Sequence, residues 1–307
     1  MYRTIVVPLD GSPLAEHALS TAAMLAERAS ARLELVRVHQ LILHDLGDQL
    51  ALDQAMREEA LDYLARTARG IQDESGLRPA TTVLEGPPAQ TIGEHVRGMK
   101  DPLIVMSTHG RTGFSRAWMG SVADAVIRNG AAPVVLLRPE EAPDGLLEPV
   151  GPFKRMLVPL DGSGYSEQVV PHAMAVAEIT GAEVRLLEVV KPVFTPAFMP
   201  AMEYAVAYAP PEEYATDATN TLVERASDYI ANLALKLRRQ HPLLDIRSEV
   251  RTDSTPARVI LDVVQAQGCD VVALATHGRG MSRFVVGSVA DKVLRAGPRA
   301  MVVVRPQ

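Results

Sequence analysis

The chain says nearly the same thing twice. The run Val6-Val7-Pro8-Leu9-Asp10-Gly11-Ser12 returns as Leu157-Val158-Pro159-Leu160-Asp161-Gly162-Ser163. Thr108-His109-Gly110-Arg111, closed later by Gly120-Ser121-Val122-Ala123-Asp124, returns as Thr276-His277-Gly278-Arg279 and Gly287-Ser288-Val289-Ala290-Asp291. Both halves end alike, in Leu136-Leu137-Arg138-Pro139 and Val303-Val304-Arg305-Pro306. A period of about 150 residues is too long for a solenoid unit and is the size of a whole domain. Chemistry found in one half is therefore expected in the other. Pro139 to Pro152 holds four prolines and two glycines and reads as a linker. The expected division is 1–139, a linker at 140–152, and 153–307.

Each half alternates short β-branched runs with helical patterns. In half one, strands are expected at 4–9, 33–38, 81–84, 103–107 and 134–137, and helices at 15–29, 48–71, 88–97 and 121–129. Half two repeats that order, with strands expected at 156–160, 183–190, 245–250, 270–275 and 301–304 and helices at 167–180, 217–239, 256–267 and 288–296. Alternation of this kind gives a parallel sheet with helices on both faces, the α/β class of Rossmann-like folds. Pro8 and Pro159 offer no ladder donor, so each is expected where its strand ends and turns. The last strands, 134–137 and 301–304, are apolar edges unless paired, which predicts that the halves meet there across a pseudo-twofold axis.

The halves differ in length. Asp161 follows Asp10 by 151 residues, but His277 follows His109 by 168, so half two has gained 17. The insertion is placed between Lys191 and Asp217, a stretch holding Phe194, Phe198, Tyr204, Tyr208, Tyr214 and five prolines. It fits a packed covering loop or a lid over a ligand pocket.

Composition narrows the functional classes. A net charge of −6 argues against a general nucleic-acid or anionic-membrane surface. No apolar stretch is long enough to span a bilayer, and the start, Met1-Tyr2-Arg3-Thr4, runs into a strand without a signal-peptide pattern. The single cysteine, Cys269, excludes an intrachain disulfide and is expected to be buried and inert. A cytoplasmic setting is the default expectation.

One constellation carries chemistry. Gly110 stands ten positions before Gly120, and Ser121 opens a helix. A glycine-rich turn leading into a helix N-terminus offers free N–H groups and the positive end of the helix dipole to an anion. The Ser121 hydroxyl adds a donor, and glycine lets phosphate oxygens approach the backbone. The same residues also suit a serine-started helix with glycines serving only the turn. The pattern is neither a Walker A loop nor a dinucleotide fingerprint. In doubly wound sheets, ligands bind at the carboxyl ends of the strands flanking the order reversal. With strand order 3-2-1-4-5, those are strands one and four, which end at Asp10 and Ser107.

At these residues the chain resembles the universal stress protein family in its tandem form. The resemblance rests on the V-P-L-D-G-S start and on a G-x2-G-x9-G-S/T motif, read here as Ser107-x2-Gly110-x9-Gly120-Ser121. It implies two five-stranded parallel sheets of order 3-2-1-4-5 and, for the ATP-binding branch, adenine near the end of strand two. Val38 and Val189 would then meet adenine, with Asp10 and Asp161, beside Pro8 and Pro159, near adenine or ribose. Gly110, Gly120, Ser121 and Val122 would hold phosphate, as would Gly278, Gly287, Ser288 and Val289. Arg111 and Arg279 reach either phosphate or a loop carboxylate. Mg²⁺ would arrive with ATP and could use Asp10. The resemblance further implies an intrachain pseudo-dimer, open to homodimerisation.

Two departures stand out. The motif's first glycine is Ser107 in half one and Ala275 in half two, and only eight residues separate Gly278 from Gly287. The shorter loop predicts that half one binds more tightly. ATP binding with little or slow hydrolysis is the expected function. A nucleotide-free interaction protein of the same family and an adenylating or ATP-cleaving enzyme of a related fold are the alternatives. No Cys/His cluster has metal-ligand spacing, and no general base for a γ-phosphate is evident.

Overall fold

The structure, a computed structural model, describes residues 2–39, 49–108, 119–140, 147–193, 212–276 and 287–306. Half one runs β1 (Thr4–Pro8), α1 (Pro13–Glu16), α2 (Ala18–Ala29), β2 (Arg32–His39), α3 (Gln49–Ser75), β3 (Ala80–Glu85), α4 (Pro88–Arg97), β4 (Pro102–Ser107), α5 (Ser121–Asn129) and β5 (Val134–Leu137). Half two repeats it as β6 (Arg155–Leu160), α6 (Gly164–Glu167), α7 (Val170–Thr180), β7 (Glu183–Val190), α8 (Glu212–Gln240), β8 (Ile246–Thr252), α9 (Pro256–Gln267), β9 (Val271–Ala275), α10 (Ser288–Ala296) and β10 (Ala300–Val304).

All ten strands form one sheet, ordered β3-β2-β1-β4-β5-β10-β9-β6-β7-β8. Each half is a parallel 3-2-1-4-5 unit, as expected. The halves join through an antiparallel pair in which Met301 faces Leu136 and Val302 faces Val135. All four β5 residues are buried there, so neither last strand is an open edge. Two apolar layers cover the sheet. One contains Leu25, Leu64, Met174 and Ile230 from α2, α3, α7 and α8; the other contains Ile92, Val126, Ile260 and Val293 from α4, α5, α9 and α10.

The junction is reciprocal beyond the strands. Arg138 Nη1 donates to Gly297 O at 2.8 Å, and its Nη2 donates to Leu294 O at 2.9 Å and Arg295 O at 3.0 Å. The guanidinium thus satisfies the carbonyl end of α10, where the helix dipole favours a cation. Its counterpart Arg305 packs on Gly130, the left-handed cap of α5; a Cβ there would lie 2.7 Å from Arg305 Cδ. Across the other layer, Tyr2 Oη lies 2.9 Å from His172 Nδ1, and Arg28 donates to Thr180 O at 3.2 Å. The described part of the linker is packed too. Glu148 O accepts from His17 Nε2 at 2.7 Å and from Arg299, and Val150 O accepts from Thr21 Oγ1.

Two expected helices are broken. The single helices expected at 15–29 and 167–180 are each divided in two, at His17 and at Gln168–Val169. In half two Pro171 lies in the first turn of α7, where its missing N–H costs nothing, and it cannot sit deeper in a helix. The short first helix is set by its cap: Ser12 Oγ accepts from Ala15 N, as Ser163 Oγ does from Ser166 N.

Candidate functional site

The crevice in each half begins where two parallel strands part. The β1–β4 register runs only from Thr4–Pro102 to Val6–Ile104, and β6–β9 pairs only Met156–Val271 and Leu157–Val272. Pro8 and Pro159 lie just beyond those last pairs, where no neighbour on that side asks for a donor. Pro8 ends β1; Pro159 stands one residue inside the end of β6.

The turn after each proline is built the same way. Gly11 and Gly162 adopt φ +87° and +70°, a conformation that favours glycine. Asp10 Oδ1 accepts from Ser12 N at 2.9 Å, and Asp161 Oδ1 accepts from Ser163 N at 3.0 Å and Ser163 Oγ at 2.6 Å. Each aspartate thus braces its loop through Oδ1.

In half two the crevice opens into a cavity of about 740 Å³, within the usual range for small-molecule sites. It brings together Pro159, Asp161, Val189, Ala275, Gly287, Ser288 and Val289. Gly287 N donates to Thr276 O at 2.7 Å, and a Cβ at Gly287 would lie 3.4 Å from that oxygen. The Gly287 amide is therefore engaged, and Ser288 and Val289 open the first turn of α10, whose N-cap has no side-chain hydrogen bond. That turn presents backbone donors to the cavity wall.

In half one Ser107 ends β4, Val38 is the penultimate residue of β2, and Gly120, Ser121 and Val122 start α5, again with no side-chain cap. All lie at the same carboxyl end of the sheet as Asp10. Ser107 Oγ stands 3.5 Å from His17 Nδ1, a contact that Ala275 has no atom to make. Gly110, Arg111, Gly278 and Arg279 fall outside the described residues, as do His109, His277 and the loop whose length differs between the halves. So does most of the aromatic insertion, 194–211.

Several cavity residues were not anticipated. Tyr229 and Arg225 come from α8, Glu188 and Lys191 from the end of β7, and Ser166 from α6. Burial, then the Glu167 carboxylate, then the charges of Glu188 and Asp161 push the Tyr229 phenol well above its usual range. Its half-one counterpart Tyr63 donates to Glu16 Oε1 at 2.8 Å. Glu167 stands 151 residues after Glu16 and Tyr229 166 after Tyr63, so aligning the halves would have exposed the repeat, but buried Tyr229 Oη has no hydrogen-bond partner among the described residues. Among the described residues, no three His, Cys, Asp or Glu side chains converge on a metal site. Mg²⁺ entering with phosphates does not need such a cluster, because it keeps several waters.

The family model for the universal stress protein family matches residues 1–138 and 152–305. The chain belongs to the universal stress protein family. It is 32% identical to a universal stress protein of Methanocaldococcus jannaschii over 142 residues, which cover 45% of this chain and 83% of that one. A universal stress protein of Mycobacterium bovis matches end to end, at 25% identity over 318 residues covering 98% of this chain and 94% of the relative. A solved universal stress protein from Archaeoglobus fulgidus shares the fold at a TM-score of 0.64, with 17% identity and 98% of each chain covered. Among the described residues, no helix is long and apolar enough to cross a membrane.

Proposed function

We propose that this universal stress protein binds ATP at the strand-parting crevice, as a nucleotide-responsive regulatory protein rather than an enzyme of rapid turnover. The observation that carries this reading is the half-two cavity. It gathers Asp161, Val189 and the start of α10 around a volume that suits a nucleotide. Phosphates would meet the Ser288 and Val289 amides and the Ser288 hydroxyl, at the positive end of the helix. The ribose hydroxyls and the adenine amino group, which can donate, would lie toward Asp161 and Glu188. Charge-assisted hydrogen bonds contribute roughly 1.5–3 kcal/mol each. Three of them approach the approximately 8 kcal/mol of a micromolar site. Mg²⁺ would enter on the phosphates and share in neutralising their charge. The units we propose are 1–139 and 153–307, forming an intrachain pseudo-dimer, with a cytoplasmic setting that suits one buried thiol. Mass spectrometry of small molecules released from the purified, denatured protein, followed by calorimetric titration with MgATP, tests the reading. Released adenine nucleotide, or micromolar binding of added ATP, is expected. No released nucleotide and no binding at millimolar ATP would overturn it.

A further inference from the structure

The two crevices differ at one pair of facing positions, and the difference is a reversal of charge. Strand β2 carries Arg37 where β7 carries Glu188, 151 residues later. The long helices match at an offset of 166, which superposes buried Ala60 on Ala226, Leu64 on Ile230 and Ile71 on Leu237. In that frame, Glu59 of α3 corresponds to Arg225 of α8, and Tyr63 to Tyr229. Half one thus holds arginine on the strand and glutamate on the helix; half two holds the opposite.

The consequence is spatial as well as electrostatic. The Arg37 guanidinium lies 5.0 Å from the centroid of the Tyr63 ring, stacked over it. The same group packs against the β1 turn: a Cβ on Gly11 would stand 3.6 Å from Arg37 Nη2. Glu59 holds it from the solvent side, with Oε1 3.7 Å from Nη2. Arg37 therefore bridges the gap between the Gly11 turn and Tyr63. In half two the equivalent residues, Gly162 and Tyr229, both line the cavity, as does the shorter Glu188.

Resting on the nucleotide reading above, we propose that Arg37 fills the base-and-sugar side of the half-one crevice, and that the open site of the chain is the one in half two. Glu188 leaves that site its volume and places a carboxylate where the ribose hydroxyls or the adenine amino group could donate to it. This ranking reverses the one that loop length predicts, because the strand-end side chain acts on the body of the ligand whereas the loop acts on its phosphates.

Calorimetric stoichiometry with MgATP, on full-length chains checked for native circular dichroism, tests the proposal. The wild-type chain is expected to bind one ATP, and Gly287→Val to remove that binding. Arg37→Ala is expected to raise the stoichiometry to two, and Glu188→Arg to weaken the wild-type event by about tenfold or more. Arg37→Lys, which keeps the charge but stacks less well, distinguishes filling from repulsion: an opened site with lysine supports the plug. Two sites in the wild-type chain, one site that survives Gly287→Val, or a stoichiometry of one in Arg37→Ala would overturn the inference while leaving ATP binding intact. No binding in any of these chains would overturn both.

Discussion

Replacing Arg138 by methionine isolates what the junction guanidinium contributes. Methionine keeps the apolar stem and removes the three hydrogen bonds to α10. The bond to Arg295 O is exposed to solvent and contributes little, so the count is nearer two bonds than three. Bonds to a charged group contribute roughly 1.5–3 kcal/mol each. Arg138 is only half-buried, so screening reduces that gross figure by about half. Favourable placement at a helix carbonyl end adds about 0.3–1 kcal/mol. The expected loss for Arg138→Met is about 2–4 kcal/mol, read from urea unfolding monitored by circular dichroism. Arg138→Lys should recover less than half, because an ammonium carries charge to the helix end but not a planar fork. Arg128→Met, which breaks only an exposed i,i+4 pair with Asp124, serves as the control and should cost under about 0.5 kcal/mol. If Arg138→Met falls within that control range, or lysine restores wild-type stability, the junction does not depend on the fork.

The remaining expectations concern the edge, a buried carboxylate and the thiol. A chain ending at residue 139 exposes β5, whose four residues are all buried in the intact sheet, and should dimerise or aggregate; a well-folded monomer at high concentration in sedimentation would refute this. Burial raises the Glu34 carboxyl, but the hydrogen bonds from Thr82 and His95, the His95 charge and Arg32 together outweigh it and hold the group below its ordinary 4.5. Glu34 therefore stabilises the fold above the ordinary carboxyl range and loses that contribution as pH falls through its folded value. The urea-midpoint gap between wild type and Glu34→Gln should narrow from pH 6 to pH 3, and a constant gap would refute the linkage. Burial pushes the Cys269 thiol up to about 11, so native protein at pH 8 should label with a thiol reagent no faster than it unfolds; rapid stoichiometric labelling would count against it.

How much was legible depended on whether the signal was local. Helices α4 and α9 start at Pro88 and Pro256, and the starts of α5 and α10 follow Gly120 and Gly287; their bounds are as read from those markers. The breaks at His17 and Gln168 were missed because apolar spacing runs across them; Pro171 marks the second locally, whereas at the first His17 hydrogen-bonds Glu148 O, a tertiary contact. That Asp161, Gly287 and Ser288 share one crevice could be read because a strand end marks the first and a helix start the other two. Tyr229 and Arg225 could not, since they reach the cavity from a helix some 60 residues further along and only the packed sheet puts them there. The exchange of Arg37 for Glu188 lay in plain view, but it carried no meaning until Tyr63 and Gly11 were seen on either side of the guanidinium.

The antiparallel pairing of β5 with β10 fixes where the two crevices look. Because every strand within a half runs the same way, the strand ends at Asp10 and Ser107 point toward one margin of the ten-stranded sheet, and those at Asp161 and Ala275 toward the opposite margin. One molecule approaching from a single side can cover only one of them. A molecule seated over the half-two crevice would therefore leave the half-one margin uncovered.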